Sequence, residues 1–189
     1  MGFLDTLLGR TRLPKSNEDR LFAITTAAVG LEASAGLEPG GRAGIVFKKL
    51  PPGRFDQLAA DMKQLAQLQG EDGQLTIEEH SDDFGFDWLI LSGSDFQDTV
   101  ATLHTIAESL LEQGLGELLL ACAFRFQQGG RPVYWVYGYK QASFYPFIPA
   151  GGRTRDNAGE LRLSALAKAE QMPVEPQLER WYALWGIPL

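Results

Sequence analysis

Large side chains recur at every second position in Phe86, Trp88 and Ile90, the period of a β-strand with one buried face, and Asp87 is then expected to point the other way. Ser94, with Gln97 three residues on, has the spacing of a capping box, so a helix is predicted to begin there. Phe96, Val100, Leu103, Ile106, Ala107 and Leu110 fall on one face of that helix, and Gly114 is placed to stop it. The run Leu118 to Phe124 is apolar throughout, which fits a strand covered on both faces or one in the middle of a sheet. Arg131-Pro132 reads as closing the next turn, after which Val133, Trp135, Tyr137 and Tyr139 alternate as an aromatic-rich partner strand.

The flanks follow the same rules. Leu21, Phe22 and Thr25 stand in helical register, whereas Val29, Leu31, Ala33 and Ala35 alternate and predict a strand. Pro39-Gly40-Gly41 and Pro51-Pro52-Gly53 read as breaks on either side of a second strand carrying Ala43, Ile45 and Phe47. Phe55, Leu58, Ala59 and Met62 mark an amphipathic helix, and Leu75 and Ile77 begin the strand leading into Asp82-Asp83-Phe84-Gly85. The chain thus repeats helix followed by hairpin, over about 17–50, 54–92 and 94–140, and the predicted class is α+β: an antiparallel sheet built from helix-hairpin units with helices packed on it. Residues 141–158 lose periodicity and read as a long loop, a feature that covers something, binds something or moves. A helix with Leu163, Leu166 and Ala167 inward follows. Pro176 is expected to open a last helix, with Leu178, Trp181, Tyr182 and Trp185 along one face. The implied organisation is an N-terminal amphipathic segment (1–16), an α+β domain (17–140), and a loop with a helical C-terminal extension packed on the same domain (141–189).

A length of 189 residues suits one domain with a sizeable core. The single cysteine, Cys122, lies inside the most apolar run, where packing rather than a disulfide is expected, and this points to a reducing compartment. No stretch has the pattern of a secretion signal, so a cytoplasmic location is expected. Charge modifies the picture through its distribution. The net charge is −7, yet no Lys or Arg stands between Lys63 and Arg125, an interval that holds twelve acids. That disfavours a nucleic-acid surface and favours a basic partner, with Asp82, Asp83 and Asp87 as candidate contacts. The plainer reading is a solvated face compensated by the basic flanks. Phe3, Leu4, Leu7 and Leu8 line one side of a short N-terminal helix, a segment suited to a partner, to its own domain or to a membrane surface, here the inner face. Trp181, Tyr182 and Trp185 offer an aromatic ridge for a partner protein, or a terminal helix docked on the core.

Chemistry-bearing motifs are sparse. Asp83-Phe84-Gly85 spells the metal-binding triplet of protein kinases, but without a glycine-rich loop or catalytic His-Arg-Asp it reads as a hairpin turn. Gly114-Leu115-Gly116 follows a helix and lacks the third glycine of a dinucleotide loop. His80 and His104 have no His or Cys at ligand spacing, and Glu78, Glu79, Asp82 and Asp83 lack the spacing of a calcium loop. No catalytic, cofactor-binding or metal-binding residue is assigned. A small-molecule binder or enzyme would have to be built around the 141–158 loop, with Arg153 and Arg155 as anion ligands.

Four stretches together resemble one family. They are Met-Gly-Phe-Leu-Asp-Thr-Leu-Leu-Gly-Arg at the start, Gly41-Arg42-Ala43-Gly44-Ile45-Val46-Phe47-Lys48, the Gly85-to-Trp88 stretch with its following helix and Phe124-Arg125-Phe126, and Arg180-Trp181-Tyr182-Ala183-Leu184-Trp185-Gly186-Ile187-Pro188-Leu189 at the end. The chain is similar over essentially its whole length to the PspA-associated protein PspAB family, found in bacteria and archaea. The resemblance implies association with a phage-shock system, in which a coiled-coil PspA-like protein senses and repairs envelope stress at the inner membrane. It implies a non-enzymatic adaptor or regulator, and it brings no active-site residues with it. The central unit also resembles, more loosely, the α+β fold of YbjN-like proteins and type III secretion chaperones, which bind other polypeptides.

Overall fold

The structure is a computed structural model that describes residues 19–50, 53–69 and 75–189. Its described elements are four helices, α1 (Ala23–Ala35), α2 (Arg54–Gln69), α3 (Phe96–Glu112) and α4 (Asn157–Ala169), and six strands. The strands are β1 (Leu37–Lys48), β2 (Thr76–Ser81), β3 (Phe86–Ser92), β4 (Leu119–Gln128), β5 (Arg131–Gly138) and β6 (Ser143–Phe147). They form one sheet in the order β2-β3-β1-β4-β5-β6, antiparallel at every pairing. The fold is therefore α+β, as the alternation of hairpins and helices predicts.

The helices occupy one face of the sheet. α2 lies over β2, α3 over β1 and β4, and α4 against β6, with α1 in contact with both α3 and α4. Ile45, Phe47, Leu89, Phe124 and Trp135 point from the strands into this layer, and Phe96 of α3 meets the rings of Phe124 and Phe126 edge-on at 5.9 and 5.4 Å.

Five expectations need correction. Val29 to Ala35 is helix, not strand: Ile24, Ala27, Ala28 and Leu31 are buried at helical spacing, while Val29 is 72% exposed. The two-residue alternation there was produced by small side chains that the helix leaves in solvent or half-buried. Pro39-Gly40-Gly41 does not break the chain but lies inside β1, where Gly40, Gly41 and Arg42 face the single residue Arg125 in a bulge. The first unit is consequently one helix and one strand, and that strand enters the sheet between the hairpins β2–β3 and β4–β5. The cap of α3 is Asp95 rather than Ser94, its carboxylate accepting the Asp98 N–H at 2.9 Å. The β4–β5 turn is Gly129-Gly130, with φ of +55° and +80°, the left-handed pair of a type I′ turn, so Arg131 already belongs to β5.

The fifth correction concerns the C-terminal third. Ser143–Phe147, read as loop, is the edge strand β6, buried at every position. An all-buried strand shows no alternation, and Pro146 is tolerated because beyond the single bridge Phe144–Val174 the outer side of β6 carries no ladder. The expected C-terminal helix is also absent: a 3-10 turn at Leu178–Arg180 is followed by an extended strap across the sheet face opposite the helices. Gly186, at φ +73°, and Pro188 interrupt this stretch, and lying flat lets Trp181, Leu184, Trp185, Ile187 and Leu189 all reach the sheet, which one helical face would not present.

Candidate functional site

The second face of the sheet is apolar as well. Val46, Trp88, Ile90, Ala123, Tyr134, Val136, Tyr145 and Phe147 point to it from five strands, and Trp181, Leu184, Trp185, Ile187 and Leu189 of the strap pack on them. The strap covers only part of this face. What remains among the described residues is a half-open groove of about 770 Å³, with Val46, Trp88, Leu120 and Tyr145 along one side and Tyr182, Trp185 and Ile187 along the other.

Local chemistry holds the walls in place. Asp82 accepts the N–H groups of Phe84 and Phe86 at 2.9 Å each and the indole N–H of Trp88 at 3.0 Å, so one carboxylate closes the β2–β3 turn and orients the Trp88 ring. Trp185 meets Phe147 edge-on at 5.2 Å, and Tyr134 stacks on Phe147 at 6.2 Å. Leu189 seats over Gly44, where a Cβ would come within 3.2 Å of both Leu189 Cδ2 and Trp88 Cε3. The strap is anchored upstream of the groove. Phe144 N–H donates to Pro173 O (2.7 Å), Glu175 N–H to Phe144 O (2.8 Å), the Trp181 indole to Glu175 O (3.0 Å), and Arg155 Nη1 to Trp181 O (2.7 Å).

Burial pushes the phenols of Tyr134 and Tyr145 above their ordinary range, with Arg125 and Arg155 respectively pulling the other way. Tyr145 therefore meets the groove as a neutral, mainly apolar surface with a hydroxyl, and Tyr134 lies in the cluster under the strap. Burial likewise pushes the Cys122 thiol up to about 12, partly offset by its 3.1 Å hydrogen bond with the Tyr139 hydroxyl, and Cys122 lies on the helix side, away from the groove. Among the described residues no three His, Cys, Asp or Glu side chains come together as a metal site. Four charged residues line the groove: Asp82, Glu117, Lys48 and Lys140.

The residues singled out from sequence fare differently. Asp82, Tyr182 and Trp185 are brought together at the groove, with Tyr182 59% exposed. Asp83 is exposed in the same turn as Asp82, and Trp181 is buried against the sheet at the start of the strap. Asp87 is not at the surface: it is 5% exposed and accepts the Ser81 hydroxyl at 2.7 Å and the Leu50 N–H at 3.2 Å, so β3 is buried on both faces. Glu78 and Glu79 of the acidic interval are answered by Arg42 and Lys63 at 3.7 and 2.6 Å. Phe3, Leu4, Leu7 and Leu8 lie outside the described residues. Arg155 is no loop-borne anion ligand, because its Nε reaches both oxygens of buried Glu160 at 2.8 and 2.9 Å. The sequence reading missed Phe84, which is 61% exposed at the groove. A phenylalanine inside a turn, where Asp, Asn and Gly are usual, was the available signal. No described helix is long and apolar enough to cross a membrane.

No curated protein and no solved structure matches the chain. The family model for PspAB, PspA associated protein B, matches residues 1–189, and the chain belongs to that family.

Proposed function

We propose that this chain is a non-enzymatic adaptor or regulator in a PspA-linked, phage-shock type system and that it binds a PspA-like protein at the groove beside its C-terminal strap. Family membership supports the link to PspA. The observation that carries the binding site is the half-open apolar groove rimmed by Phe84, Tyr182 and Trp185, two of them more than half exposed. Exposed aromatic side chains around an apolar depression are the composition of an interface centre, where Trp and Tyr dominate the energetics. An adaptor also suits a groove whose buried Tyr145 phenol is held in its neutral form and whose carboxylate Asp82 is used to fix its own hairpin.

Titration calorimetry of the full chain against a purified PspA-like protein from the same cells, at low ionic strength, tests this reading. Tyr182→Ala with Trp185→Ala is expected to weaken binding by about 2 kcal/mol, roughly thirtyfold in Kd. Absence of binding by the unaltered chain at low salt, or binding that the double variant leaves unchanged, ends the proposal.

A further inference from the structure

We infer that the strap is a movable wall: residues 182–189 swing off the sheet about Trp181, and the groove beside them is the closed position of a site whose floor continues under the strap. The inference deepens the adaptor reading, on which it rests for the use of this face by a partner.

The two walls of the groove are built differently. Val46, Trp88 and Tyr145 belong to β1, β3 and β6, and antiparallel ladders fix them. The strap has no such ladder. Among the described residues no backbone bond joins 182–189 to a strand, and the bond from Ile187 N–H to Leu184 O, at 3.3 Å, stays within the strap. The sheet reaches the far part of the strap through side-chain donors at the limit of bonding distance, the Tyr134 hydroxyl to Leu189 O at 3.4 Å and Arg42 Nη2 to Pro188 O at 3.5 Å. Nε of the same guanidinium is buried without an acceptor among the described residues, so polar bonds do not seal the closed position. What holds it is apolar contact through Leu184, Trp185, Ile187 and Leu189, each only partly buried.

A pivot and a seat are both defined. Trp181 is buried, its indole donates to Glu175 O and its carbonyl accepts from Arg155, while Tyr182, the next residue, is exposed. The Tyr182 backbone meets the Tyr145 hydroxyl, again beside the pivot. At the far end Leu189 rests over Gly44, where a Cβ would come within 3.2 Å of Leu189 Cδ2, so the strap has one place to return to. A firm pivot, a specific seat and a weak latch are the parts of a two-position element. Val46 and Trp88 line the groove and also lie in the cluster that the strap covers, so lifting the strap extends the floor to Ile90, Ala123 and Tyr134 without moving the sheet. A partner's apolar side chains then take the places that Leu184, Ile187 and Leu189 leave, which offsets the cost of uncovering them. Tyr182 and Trp185 travel with the wall and stay at the edge of the site.

The test uses the full chain carrying Gly44→Cys with Leu189→Cys, compared oxidised and reduced and against the unaltered chain. The closeness of the two positions lets a disulfide hold the strap on its seat, and Cys122 is buried away from it. Leu189→Ala is the loosened counterpart. Each form is checked by circular dichroism and urea denaturation. Chymotrypsin cuts after Leu184 and Trp185 only when that stretch leaves the sheet. Cleavage there is expected to be at least roughly tenfold slower in the oxidised chain than in the reduced and unaltered chains, and faster in Leu189→Ala. Calorimetric binding of the PspA-like protein is expected to follow the same order, weakest in the oxidised chain and tightest in Leu189→Ala, because affinity scales with the fraction of chains in the open position. Equal cleavage of the oxidised and reduced chains, cleavage rates that simply follow urea stability, or partner binding that the disulfide leaves unchanged overturns the inference. If the cysteine pair prevents folding, Leu189→Ala against the unaltered chain decides by the same two readings. Cleavage in the expected order with no form binding the PspA-like protein sustains the movable wall and removes the adaptor reading.

Discussion

Arg155 and Glu160 meet where water scarcely reaches, with Glu160 2% exposed, and the pair holds four parts of the chain. Its Glu160 oxygens take Arg155 Nε and the Ile148 N–H, while Arg155 Nη1 holds Trp181 O and its guanidinium lies 5.3 Å from the centre of the Phe147 ring. Removing one partner strands the other charge in the interior. Glu160→Ala is expected to cost about 3–5 kcal/mol in urea denaturation, well above the effect of an exposed ion pair. Gly44 supplies a second residue-level test: Gly44→Val must push Leu189 or Trp88 aside, at about 1–3 kcal/mol, and is expected to raise endoproteolytic cleavage within the strap. Cys122 supplies a third. Its thiol is raised from 9.0 to about 12 when folded, so folding favours the protonated form, and the contribution is complete below pH 9 and is lost as pH climbs toward 12. Stability is expected to fall above pH 9, and the fall between pH 9 and the onset of tyrosine ionisation to be shallower in Cys122→Ala.

At the scale of elements, the strongly periodic segments were legible. β3 and β5 show through the two-residue recurrence of their large aromatic side chains although both of their faces are buried, and α3 and the inward positions of α4 show through one buried stripe. β6 and the strap were not. Phe144, Tyr145 and Phe147 are buried from both sides, and the strap shows neither helical nor strand period because it lies flat on a sheet built elsewhere. The C-terminal stretch from Pro173 divides at Trp181. Before that residue it is held by backbone bonds of 2.7 to 3.0 Å and by the Arg155 contact, and after it by apolar packing and longer bonds. Hydrogen exchange is expected to be slow at Glu175 and fast at the amides after Trp181, and equal protection of both halves would refute the division.

At the scale of the whole molecule, the sheet is shared by two apolar layers, helices on one face and the strap on the other. With both resting on the same strands, urea unfolding followed by tryptophan fluorescence and by far-ultraviolet circular dichroism is expected to give coincident single transitions. Residue spacing alone established the α+β class, the antiparallel hairpins, the burial of Cys122 and the inward faces of α3 and α4, since periodicity reports which side of an element avoids water. It also marked Asp82, Tyr182 and Trp185 as candidates, without saying that they meet. Their meeting and the withdrawal of Asp87 into the interior depend on how β1 is inserted between two hairpins and on how the strap crosses the open face. Periodicity shows that a side must be covered but carries no record of what covers it, and here the covering piece comes from the far end of the chain and leaves a groove beside it.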